Sequence, residues 1–101
     1  MGNRLDLQTI LEELLGSRNV YFQPPASIKM KYPAIVYSRK NLSLIHANNH
    51  VYGQLPEYEV TLIDPDPDSV FIEKLLQLPY CRFDRHFTSD DLNHDVFSIT
   101  Y

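Results

Sequence analysis

The chain has 101 residues, 44% hydrophobic and 22% charged, with a formal net charge of −4, three glycines and one cysteine. That length bounds it to one domain with a single core, small enough that association with other copies adds noticeably to stability. Composition this ordinary suggests neither disorder nor a membrane span, the acidic balance argues against a nucleic-acid-binding surface, and the lone Cys81 excludes an internal disulfide.

The charge is unevenly placed: residues 1–45 sum to +3 and residues 46–101 to −7. Such a split lets the basic patch of one copy meet the acidic patch of another in a head-to-tail ring; its plain alternative is loops that happen to carry charge. The first amphipathic segment is interrupted by Asp6, Glu12 and Glu13, so no signal peptide is expected, and a single cysteine fits reducing cytoplasm.

Along the chain, Arg4 to Leu15 places Leu7, Ile10, Leu11 and Leu14 at helical spacing, and Gly16 follows as a left-handed stop. Val20-Tyr21-Phe22 is a short β-like run closed by Pro24 and Pro25. Ala34 to Ser38 reads as a buried strand. From Arg39 to Pro56 comes a stretch rich in Asn and His with no sustained period, yet carrying Leu42, Leu44, Ile45, Val51 and Tyr52. It is expected to be an extended loop or flap that packs on a neighbouring subunit, since long loops inside compact domains bind something. The alternative is a two-stranded ribbon with Asn48-Asn49 near its turn.

Tyr58 to Leu78 is the strongest local signal. Tyr58, Val60 and Leu62 point to one face of a strand and Glu57, Glu59 and Thr61 to the other, which describes a sheet wet on one side. A helix then follows, with Asp66 expected as N-cap, Pro67 at the first helical position and Asp68 facing the positive end of the dipole. Phe71, Ile72, Leu75, Leu76 and Leu78 form its apolar stripe, and Pro79 ends it. Cys81, Phe83, Arg85 and Phe87 then alternate with Arg82, Asp84, His86 and Thr88. A turn at Ser89–Asn93 leads into Asp95–Tyr101, so the last two strands form an antiparallel hairpin. The expected fold is α+β: a two-layer domain with a largely antiparallel four- to five-stranded sheet and two helices on one face, in a single domain over 1–101.

Catalytic chemistry finds little support in the residues. Asp64, Asp66 and Asp68 alternate like the start of a calcium loop, but prolines intervene and neither the turn glycine nor the downstream bidentate Glu is present. His46 and His50 stand four apart in a poor helix former. His86 and His94, near Asp84 and Asp95, are the one arrangement able to serve a small metal-dependent hydrolase with a His/Asp site on the C-terminal hairpin. Cys81 lacks a thiolate-stabilising partner and reads as core filling, and scattered glycines make no phosphate loop. No catalytic, cofactor-binding or metal-ligating residue is therefore assigned. Arg39, Lys40, Arg82 and Arg85 could pair with Asp64, Asp66 or Asp68 of a neighbour, or equally with cross-strand partners in their own sheet.

With YPAIVYSRK at Tyr32–Lys40, YEVTLIDPDPDS at Tyr58–Ser69 and RFDRHFTSDDLNHDVFSITY at Arg82–Tyr101, the chain resembles the tail terminator and head–tail joining proteins of long-tailed bacteriophages. The likeness lies in pattern and element order over about the last two thirds of the chain, and the N-terminal helix fits it. What the resemblance implies is a non-enzymatic virion protein, assembled in the bacterial host cytoplasm. It would form a homo-oligomeric ring, typically hexameric, that completes the tail and joins it to the head. Tail-tube and head–tail connector proteins would be its partners, with genomic DNA passing through the lumen without specific binding, and with no cofactor and no membrane. On that likeness the Leu42–Leu55 flap and the final hairpin would meet adjacent subunits or connector proteins. The residues themselves, through the flap and the possible charge pairs, offer Arg39, Lys40, Leu42, Leu44, Ile45, Val51, Tyr52, Asp66, Asp68, Arg82 and Arg85 as the expected subunit or partner interface.

Overall fold

A computed structural model describes the backbone of residues 4–47 and 50–101, and the side chains of residues 4–40 and 57–101. The order is α1 (Arg4–Leu15), β1 (Val20–Phe22), β2 (Ala34–Ala47), β3 (His50–Asp64), α2 (Val70–Leu76), β4 (Cys81–Ser89) and β5 (Leu92–Thr100). The strands form one sheet in the order β1-β2-β3-β5-β4. Only β1 runs parallel to its neighbour, with Val20, Tyr21 and Phe22 opposite Ile35, Val36 and Tyr37. The fold is the expected α+β arrangement with a mostly antiparallel sheet.

Alternation along the strands decides which face is covered. Ile35 and Tyr37 on β2, Tyr58, Val60 and Leu62 on β3, and Phe97 and Ile99 on β5 share one core with Leu7, Leu11 and Leu15 of α1 and Leu75 of α2, so both helices lie on one face. Complete burial of a large apolar side chain contributes about 1.5–3 kcal/mol, and Leu11, Ile35, Val60, Leu62, Leu75 and Phe97 are all 0% exposed. Where α1 crosses the sheet, the buried Tyr37 hydroxyl donates to Gln8 Oε1 and accepts from Arg4 Nη1 at 3.3 Å. Gln8 Nε2 in turn donates to Val20 O at 3.1 Å. Burial pushes the Tyr37 phenol above its ordinary value, against the opposing pull of Arg4. α1 ends where expected: Gly16 adopts φ 75° and its N–H donates to Glu12 O at 2.9 Å.

Three expectations need correction. First, α2 starts at Val70 with Ser69 as N-cap, its Oγ accepting from Phe71 N at 3.3 Å. Asp66 and Asp68 lie before it, in the turn between β3 and α2. The Asp side chains turn the chain locally instead: Asp64 Oδ1 accepts from Asp66 N, and Asp66 Oδ1 from Asp68 N, both at 2.9 Å.

Second, the stretch 39–56 is a paired ribbon, the alternative to the loop or flap. β2 and β3 remain in antiparallel register from Ala34↔Ile63 out to Ala47↔His50, with irregularities at Arg39/Asn41 and Ile45/His46. Backbone pairing satisfies N–H and C=O groups that a structureless loop would leave to water. The turn expected at Asn48-Asn49 lies outside the described residues.

Third, β4 does not alternate regularly. Phe83 faces Phe97 and Arg85 faces Val96, so Asp84 is an extra residue in a β-bulge. Beyond it every side chain changes face. Phe83 and His86 lie on the helix-covered face, whereas Arg82, Arg85 and Phe87 lie on the open one.

Candidate functional site

The open face of the sheet carries a connected set of opposite charges. Glu57 and Glu59 project from β3 between Lys40 on β2 and the β4 arginines. Glu57 Oε1 lies 4.0 Å from Lys40 Nζ and 3.7 Å from Arg82 Nη2, and Glu59 Oε1 lies 3.1 Å from Arg85 Nη2. Arg85 also reaches Asp84 Oδ2 at 2.7 Å. Lys40 Nζ adds a bond to Ser98 Oγ at 3.4 Å. Solvent-exposed pairs like these contribute about 0.2–1 kcal/mol each, so they fix register and surface pattern more than stability.

Lys40, Arg82 and Arg85 thus have partners inside their own sheet, the second of the two arrangements considered for them. Arg39 is exposed, and its N–H donates to Gln23 Oε1 at 3.2 Å. Asp66 and Asp68 are exposed at the opposite end of the sheet. The side chains of Leu42, Leu44, Ile45, Val51 and Tyr52 lie outside the described residues, as do those of His46 and His50. Glu57 and Glu59, which hold the ladder together, are missing from the sequence-based set. Their signal was present in the alternation of Tyr58–Leu62, but nothing in the sequence showed that β5 would insert between β3 and β4 and leave the β4 arginines within reach of the β3 acids.

Beside the ladder is a shallow open depression of about 370 Å³ lined by Glu57, Tyr80, Cys81, Arg82, Ser98 and Thr100. Burial pushes the Cys81 thiol up to about 11, which keeps it protonated and weakly nucleophilic at neutral pH. Its lining charges are already paired with each other, so the depression offers no converging set of free polar groups.

The histidines part company. His86 Nδ1 donates to Asp95 Oδ1 at 2.8 Å on the helix-covered face. His94 stacks on Phe87 across the hairpin, with centroids 4.6 Å apart, on the open face. The bulge is the reason: without it, His86 and His94 would share a face. Among the described residues no group of three or more His, Cys, Asp or Glu side chains is placed to hold a metal ion.

The outer strand β4 is the other distinctive feature. It closes one edge of the sheet, eight of its nine residues are exposed, and Phe83 and Phe87 remain 47% and 42% exposed. An edge of this length presents a row of free backbone donors and acceptors. No family model matches the chain, and comparison with curated proteins and with solved structures gives no match.

Proposed function

We propose that this protein is a non-enzymatic structural subunit that assembles into a ring, the ring completing a bacteriophage tail and joining it to the head. The observation that carries the reading is the β2–β3 ribbon. β1 leaves β2 after Tyr37 and β5 leaves β3 before Glu57, so beyond those points the two strands pair only with each other. The molecule is accordingly elongated, 49 × 24 × 23 Å. A two-stranded ribbon projecting from a domain is marginal alone in water, and contact with a neighbour is what stabilises it. The uneven charge along the chain, +3 over residues 1–45 and −7 over residues 46–101, favours a head-to-tail contact between copies. Tail-tube and connector proteins would then meet the ring, and the acidic balance suits a lumen through which DNA slides without sticking.

The test is mass in solution, before and after mixing with isolated tail tubes. A ring is expected at about six times the 11.8 kDa of one chain, or forming once tubes are present. A chain that stays monomeric and leaves the tubes untouched would overturn the reading. The competing class, a small metal-dependent hydrolase, retains one observation in its favour, the His86–Asp95 pair. Stoichiometric bound metal that disappears in His86→Ala would favour it.

A further inference from the structure

From the β4 edge we infer that two copies of this chain pair through β4 itself, antiparallel, about a two-fold axis that passes between Asp84 and Arg85. This goes beyond the ring, which needs a head-to-tail contact on other surfaces, and it stands or falls separately.

Parity limits how a strand can pair with its own copy. Residues directly opposite in an antiparallel pair lie on the same face of the sheet. A regular strand paired with its own copy about such an axis must therefore set one residue opposite itself. Near the middle of β4 that residue would be Asp84 or Arg85, and like charges would meet. The bulge removes this restriction. By shifting the faces after Phe83, it leaves Cys81, Phe83, His86 and Thr88 on the helix-covered face and Arg82, Arg85 and Phe87 on the open one. The 2.7 Å contact between Asp84 and Arg85 places the Asp84 carboxylate with the second group.

With the axis between Asp84 and Arg85, every opposed pair matches in face. Asp84 meets the second copy's Arg85, and the two-fold repeats that opposite-charge pair. Arg82, 78% exposed at its side chain, meets the second copy's Phe87, a guanidinium against an exposed ring. Phe83 meets His86, and Cys81 meets Thr88. Moving the axis one step toward the start of the strand sets Arg82 against Arg85, and one step the other way opposes residues on different faces. Of these three registers only the first is self-complementary, and it pairs the strand over its whole central length. Pairing there covers the exposed Phe83 and Phe87 and satisfies the outward backbone groups of β4, giving a continuous ten-stranded sheet from two copies of the five strands.

Sedimentation of the full chain up to millimolar concentration tests this, with Asp84→Arg and the double variant D84R/R85E beside the wild type. Wild type should form a species of twice 11.8 kDa. Asp84→Arg, which sets two arginines opposite each other at both symmetric sites, should raise the dimer Kd about tenfold. The double variant restores opposite charges across the axis, but its R85E change sets a carboxylate against Glu59 in its own sheet, so it should recover part of that loss. Both positions are exposed, and circular dichroism of each variant checks that the fold is intact. A wild type monomeric throughout overturns the pairing. So does a dimer indifferent to Asp84→Arg, or a double variant no better than the single.

Discussion

Asp95 is 4% exposed and keeps one carboxylate oxygen, Oδ2, buried without a hydrogen-bond partner, so its bond to His86 through Oδ1 is the contact that makes its burial tolerable. Removing one partner of such a pair leaves the other buried and uncompensated, which costs more than the pair itself contributes. The His86 side chain is 41% exposed, so water softens the loss and the expected cost of His86→Ala is about 2 kcal/mol in urea unfolding at neutral pH. A change within about 0.5 kcal/mol would show that Asp95 is solvated in some other way. Cys81 gives a second residue-scale expectation with a definite sign. Its thiol ionises near 9 when unfolded and at about 11 when folded, so its contribution to stability is complete below pH 9 and is lost as pH rises from there towards 11. At pH 8 the folded chain should react with iodoacetamide roughly a hundredfold more slowly than the chain in urea. Equal rates in the two states would mean that the thiol is not held in the packed edge of the core.

At the scale of elements, the strands and helices were largely legible because each is half-buried, and half-burial writes a period into the sequence. Tyr58, Val60 and Leu62 announced their face, and so did Leu7 and Leu11. What failed were places where a local hydrogen bond competes with a period. The two Asp-Pro pairs looked like a helix start, yet Asp64 and Asp66 bond the backbone two residues on and Ser69 takes the cap. The bulge at Asp84 has no period to betray it, since it is a property of two strands in register and not of one strand alone. That single extra residue separates His86 from His94, turns Arg85 toward Glu59, and creates the self-complementary edge. The open-face ladder was equally out of reach, because the order β3-β5-β4 decides which acid meets which arginine.

For the whole molecule, the five-stranded domain and the ribbon are separable in energy. Among the described residues the buried apolar side chains run from Leu7 to Tyr37 and from Tyr58 to Ile99, and the pairings of β1 and β5 stop short of the ribbon. Replacing residues 42–56 by Asn-Gly, a pair suited to a tight turn between antiparallel strands, would join Asn41 to Glu57, which already stand opposite each other. Such a chain should fold, with a melting temperature within about 5 °C of the wild type, because no described core contact is removed. Its assembly should differ: if the ribbon bridges subunits, the shortened chain loses the ring while keeping any dimer formed through β4. Loss of both forms in a folded chain would show that the ribbon also supports the β4 edge. A shortened chain that still forms the full ring would remove the ribbon from the interface and move the head-to-tail contact to the charged ends of the domain.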